Sequence, residues 1–93
     1  MELYQAEWCP HSRNVRQRLT EIGLDYTIHQ VAADEDERDV LQRATGAREI
    51  PVLVTDRREI LRGEEQILSY LNRCFDERAD AAKHREKLVA TAE

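Results

Sequence analysis

Trp8-Cys9-Pro10-His11-Ser12 gathers the residue types most able to do chemistry in this chain. Proline loses nothing at the first position of a helix, because that N–H has no intrahelical acceptor. The segment therefore reads as a helix start with Cys9 at its cap. A sulfur there faces the unpaired N–H groups of the residues that follow and the positive end of the helix dipole. Both favour thiolate over thiol, so Cys9 is expected to ionise below the free-thiol range. Arg13 and Arg16 are expected to add positive potential. The thiolate is the nucleophile of thiol–disulfide exchange, which makes Cys9 the candidate catalytic residue, supported by Pro10, His11 and Ser12. The local residues leave one alternative open, a cysteine that is simply buried. His11 is placed to donate a hydrogen bond to the Cys9 sulfur, or only to line a groove. Trp8 is expected to shield the thiol or cover that groove.

The second cysteine, Cys74, falls on the apolar stripe of a later helix and is expected to be core packing. Two cysteines are too few for a disulfide framework. His29 and His84 have no metal-ligand spacing with each other or with either cysteine, so no metal is expected.

Glycines and prolines mark out the elements that must position the thiol. Residues 2–6 read as a strand ending just before Cys9. A helix runs from Pro10 to Gly23, with Val15, Leu19 and Ile22 at helical spacing. Residues 25–31 form a second strand, with Tyr26 and Ile28 on one face. Asp34 and Glu37 give a capping-box-like start to a second helix, whose stripe is Val40, Leu41 and Ala44 before Gly46. Ile50–Val54 is a strand, Asp56-Arg57-Arg58 a turn, and residues 59–62 its hairpin partner. After Gly63 a third helix carries Ile67, Leu68, Leu71, Cys74 and Phe75. The order is β-α-β-α-β-β-α. A strand–helix–strand start implies a parallel pair with a right-handed crossover. A four-stranded mixed sheet with helices on both faces follows. Residues 76–93 form a polar tail, expected to be partly helical and weakly docked or frayed, with Leu88 and Val89 its only large apolar residues.

Composition narrows the function classes. The chain has 93 residues, 41% apolar and 35% charged, which suits one small domain and neither a disordered chain nor a membrane protein. The net charge of −5 opposes general nucleic-acid affinity. No basic segment followed by an apolar stretch opens the sequence, and free thiols suit a reducing compartment, so a cytoplasmic location is expected.

Together, Cys9-Pro10-His11-Ser12, Glu49-Ile50-Pro51-Val52 and the Gly63-Glu64-Glu65 helix start resemble the glutaredoxin family. They are also similar to the N-terminal domain of glutathione S-transferases, in the same thioredoxin superfamily. The resemblance covers residues 1–75 as a glutaredoxin-like domain and leaves out 76–93. It implies a thioredoxin-like four-stranded mixed sheet flanked by three helices. It implies that Pro51 is a cis proline opposite Cys9, where the local residues alone favour an ordinary trans bond. Ile50 would then pair its backbone N–H and C=O with the cysteinyl backbone of a bound thiol. Gly63, Glu64 and Glu65 would receive the γ-glutamyl end of glutathione, backbone N–H groups holding its carboxylate and one acidic side chain its ammonium. The family usually offers Ser, Thr or Cys beside an acidic residue there, and this chain has two glutamates, so another low-molecular-weight thiol is an alternative co-substrate.

Ser12 stands where dithiol members carry their second cysteine. The resemblance thus implies a monothiol oxidoreductase that reduces protein mixed disulfides with glutathione or another small thiol. Two alternatives are a non-catalytic thiol-binding or interaction module and an arsenate-reductase-like enzyme. A full transferase is not expected, because no all-helical second domain follows. An iron–sulfur carrier is disfavoured by Pro10, which stiffens the loop where such proteins have glycine.

Overall fold

The computed structural model describes residues 1–92. The elements are β1 (Glu2–Gln5), α1 (Pro10–Ile22), β2 (Thr27–Gln30), a 3-10 turn (Glu35–Glu37), α2 (Asp39–Thr45), β3 (Val52–Val54), β4 (Ile60–Arg62), α3 (Glu64–Cys74) and α4 (Ala81–Ala92). The sheet order is β2-β1-β3-β4, with β1 and β2 parallel and the other two pairs antiparallel. This is the expected α/β mixed sheet, with one helix more than the expected three.

Alternation along short strands divides the apolar residues between two cores. Leu3 and Leu53 are opposite each other across β1 and β3 and face α1 and α3. Their cluster includes Val15, Leu19 and Ile22 of α1 with Ile67 and Leu71 of α3. Tyr4, Val52 and Val54 point to the other face and pack with Leu41 of α2.

The register also decides where the loops gather. Gln5 pairs with Gln30 in parallel, Tyr4 with Val52, and Val52 with Arg62. The chain leaving β1 toward Cys9, the chain leaving β2, the Ile50-Pro51 entry to β3 and the Gly63 entry to α3 therefore all lie at one end of the sheet.

Four expectations are corrected. The second helix does not start at Asp34: a 3-10 turn comes first, neither it nor α2 has a side-chain cap bond, and α2 begins at Asp39. The cause is Arg38, which is 7% exposed. Its guanidinium donates to the carbonyls of Ala32, Ala33 and Arg48 at 2.8, 3.0 and 2.9 Å, folding the acidic run around itself. Val40 is exposed rather than packed, because the short α2 turns Leu41 inward in its place. Ala44, the third residue of that expected stripe, is exposed too. Cys74 is exposed rather than core, because α3 ends there and Phe75 packs against the core beyond it.

The tail contributes α4, and it docks on α1 chiefly through charge. Arg18 and Arg85 both bond Glu77 at 2.6 Å and pair with Glu21 at 2.8 and 3.0 Å. The Arg78 N–H donates to the Glu21 carbonyl at 2.8 Å, and Ala81 is buried. Leu88 and Val89 remain exposed. Residue 93 of the expected tail lies outside the described residues.

Candidate active site

Cys9 caps α1 as expected. Its backbone is extended, Pro10 occupies the first helical turn, and the Ser12 N–H donates to its sulfur at 3.5 Å. The thiol is 6% exposed and Ser12 is fully buried. The Ser12 Oγ accepts from the Ala6 N–H at 3.4 Å, which ties the end of β1 to the first turn of α1. Burial pushes the thiol up. The Ser12 hydroxyl, the N–H groups of Ser12 and His11, and the charge of Arg38 outweigh it and hold Cys9 below the ordinary thiol range.

Arg38 is a cation whose charge helps hold Cys9 down, and it is not among the residues expected to do so. The Arg16 guanidinium is engaged elsewhere, with the Gln5 side chain, the Ala6 carbonyl and the Glu7 carboxylate. His11 is also redirected. Its imidazole does not bond the sulfur; its Nδ1 meets Glu64 Oε2 at 2.5 Å, while Asn14 Nδ2 donates to Glu64 Oε1 at 2.6 Å. These two partners hold the Glu64 carboxyl below the usual carboxylate range and join the starts of α1 and α3. Trp8 is 64% exposed and lines no part of the groove described next.

An open groove of about 460 Å³ brings together His11, Ile50, Pro51, Gly63, Glu64 and Glu65. Cys9, Pro10 and Ser12 are not among its walls. The Ile50–Pro51 bond is cis, and among the described residues none bonds the Ile50 N–H or C=O. Gly63 has φ 85° and ψ 154°, a conformation closed to residues with a Cβ, and its N–H donates to the Pro51 carbonyl at 2.9 Å. That bond sets the start of α3 directly beside the proline. No side chain caps α3, so the first N–H groups of the helix face the groove. Of the two glutamates, Glu64 is committed to α1, whereas Glu65 is exposed and forms no ion pair among the described residues.

Three residues of this region escape sequence reasoning. Arg62 lines the groove and donates to the Thr45 carbonyl at 2.9 Å, passing so close to Gly46 that a Cβ there would meet its Nη2 at 3.0 Å. Asn14 and Arg38 are the others. The partner of Asn14 lies 50 residues away, and those of Arg38 are backbone carbonyls, which carry no side-chain signal. Among the described residues no group of three or more His, Cys, Asp or Glu side chains converges as a metal-ligand set. No helix among them is long and apolar enough to cross a membrane.

Residues 1–60 match the glutaredoxin family profile. Among solved structures, a glutathione S-transferase from Rhodospirillum rubrum F11 is 27% identical, with a TM-score of 0.68 over 80% of this chain and 33% of its own. A glutathione S-transferase domain-containing protein from Marinobacter aquaeolei VT8 is 25% identical, with a TM-score of 0.67 over 82% of this chain and 39% of its own. Glutathione S-transferase 1-6 from Anopheles dirus species B, at 21% identity, shares the fold with a TM-score of 0.72 over 86% of this chain and 38% of its own. The chain thus spans about two-fifths or less of each transferase it resembles. No curated protein matches it by sequence. A family profile that spans the thiol, the cis proline and the strands between them shows that this chain belongs to the glutaredoxin family, with a thioredoxin-type fold.

Proposed function

We propose that the protein is a monothiol thiol–disulfide oxidoreductase that reduces mixed disulfides with glutathione or a related low-molecular-weight thiol. The observation that carries this reading is the Cys9 sulfur at the α1 cap, held below its ordinary pKa by adjacent N–H and O–H dipoles with no second thiol in its first turn.

In the first step the Cys9 thiolate attacks the glutathione sulfur of a protein–glutathione disulfide. A Cys9–glutathione disulfide forms, the original S–S bond breaks, and the protein leaves as a thiolate that takes a proton from water. In the second step a glutathione thiolate attacks the sulfur of the bound glutathione. Glutathione disulfide leaves with the two electrons exchanged, and the Cys9 thiolate is restored. With Ser12 in place of a thiol, the bound glutathione has no competitor within the helix start, so a second small thiol completes the cycle.

The groove supplies orientation. The unpaired Ile50 N–H and C=O suit a short strand-like pairing with the cysteinyl backbone of the small thiol. The open start of α3 suits a carboxylate, and the uncommitted Glu65 suits an ammonium group. The test is turnover of a glutathionylated peptide, with glutathione as reductant. Catalysed release of the peptide thiol, lost in Cys9→Ser, supports the reading. Stoichiometric capture of glutathione on Cys9 without turnover would replace it with a thiol-binding module.

A further inference from the structure

Arg38 is a buried cation with no carboxylate of its own. It is 7% exposed, and its three hydrogen bonds go to the neutral carbonyls of Ala32, Ala33 and Arg48. Among the described residues it forms no ion pair. The exposed carboxylates around it in sequence are Asp34, Glu35, Asp36, Glu37 and Asp39; none pairs with it, and Asp39 is taken by Arg48 at 2.6 Å. Buried charges are normally paired, because desolvating one alone is costly. A buried guanidinium held at one end of the sheet by carbonyls therefore needs an anion nearby.

The fold brings the Cys9 loop to the same end of the sheet. Because β1 and β2 are parallel with Gln5 opposite Gln30, the loop after β1 that carries Cys9 and the loop after β2 that carries Ala32 and Ala33 leave the sheet side by side. The third carbonyl, from Arg48, lies two residues before Ile50 on the approach to Pro51. Other charged groups face this end of the sheet from α1 and α3. Arg16 is balanced by Glu7, and His11 is bound to Glu64. Arg13 and Glu65 are exposed, where solvent screens them. Arg38 is the buried cation among these groups.

Resting on the oxidoreductase reading, we propose that Arg38 is the positioning residue of the thiol site: it clamps the Ala32–Ala33 loop to the Arg48–Pro51 approach and supplies the counter-charge of the Cys9 thiolate. Two tasks fall on one side chain. The planar fork fixes the strand entry that faces the incoming small thiol, and the charge favours the nucleophile and the thiolate state to which Cys9 returns after each cycle. The cation acts through Cys9 and needs no contact with substrate.

The test separates charge from clamp. The rate of Cys9 alkylation by iodoacetamide is followed against pH in a Cys74→Ser background. Arg38→Gln removes the charge and keeps two N–H donors; Arg38→Lys keeps the charge and loses the fork. The account expects Arg38→Gln to raise the alkylation midpoint; each pH unit of rise means roughly tenfold less thiolate at pH values below both midpoints. Intrinsic nucleophilicity rises as thiol pKa rises, so the net rate there falls about three- to fourfold per unit. Arg38→Lys is expected to keep a midpoint close to that of the wild type and to raise KM for the small thiol more than it lowers kcat. If Arg38→Gln does not fold, ligation of the 93-residue chain with citrulline at position 38 gives a neutral side chain of nearly the same shape. An unchanged midpoint in the neutral variant overturns the proposal even if the wild type turns over. A raised midpoint in a protein that shows no turnover upholds it and refutes the oxidoreductase reading instead.

Discussion

The two ends of α1 both carry polar clusters, and they differ in the kind of partner that meets the buried group. At its start the Cys9 sulfur and the Ser12 side chain are buried, and the partners are mostly neutral dipoles of the adjoining turn. At its end the buried Glu21 and the mostly covered Arg18 meet the more exposed Glu77 and Arg85 in a network of full charges. Where such charges meet water, as between Glu77 and Arg85, they are screened and contribute little, roughly 0–1 kcal/mol for a typical exposed pair. A few dipoles aimed at a buried sulfur are not screened, and they change which protonation state the sulfur adopts. The first cluster is therefore suited to chemistry and the second to docking α4. The two cysteines make the same contrast: Cys9 caps a helix start, where N–H groups point at it, and Cys74 sits exposed at a helix end.

The largest effect that would break this contrast is on turnover. Cys9→Ser is expected to abolish reduction of a glutathionylated peptide, by at least ~10³-fold, because the nucleophile itself is removed. Cys74→Ser is expected to stay within about twofold of the wild type, since its thiol lies outside the sheet end where the groove forms. Steady-state assays of the two variants side by side check both.

A smaller effect sharpens the role of burial. Ser12→Ala removes a hydroxyl that supports the thiolate and leaves the buried Ala6 N–H without its acceptor. The variant is expected to lose about 1–3 kcal/mol of stability, measured by urea denaturation. Its Cys9 alkylation midpoint is expected to move up. The sign of the pH dependence follows from the lowered thiol pKa. Wild-type stability gains a contribution that is complete above the ordinary thiol range and is lost as pH falls through the folded-state value. Ser12→Ala should narrow that window.

Acid provides the smallest effect, at the other end of α1. Glu77 is held at about 2 by its hydrogen bonds to Arg85 and Arg18, and Glu21 is also lowered, where its partners outweigh its burial. Their contribution to docking is present above the ordinary glutamate range and lost as pH falls from there toward 2. Amide exchange of α4 is expected to quicken over that interval and in high salt, while the amides of β1 and β3 stay protected. Exchange of α4 that ignores both acid and salt would mean that apolar contact, such as buried Ala81, holds it instead.

Most of the frame was legible because it rests on local rules. The spacing of Val15, Leu19 and Ile22, the match of Ile67 with Leu71, and Pro10 at a helix start each carry their own signal. The cis bond before Pro51 was legible only through family resemblance; strand rules alone favour trans. The residues that tune the site were not legible. Arg38 stands in an acidic run that reads as solvated surface, and its carbonyl partners come from both sides of α2. The His11–Glu64 pair joins residues 53 apart. Cys74 was placed in the core because helical periodicity says which face a residue shares but not where the helix stops, and α3 stops at Cys74 itself.

The central claim is that Cys9 is the thiol that exchanges with small disulfides. Exposing the native protein to glutathione disulfide near neutral pH, followed by peptide mapping of the adducts by mass spectrometry, tests it most directly. The account predicts one glutathione per chain, on Cys9, removed again by excess glutathione. An adduct carried mainly by Cys74, or equally by both thiols, would contradict it.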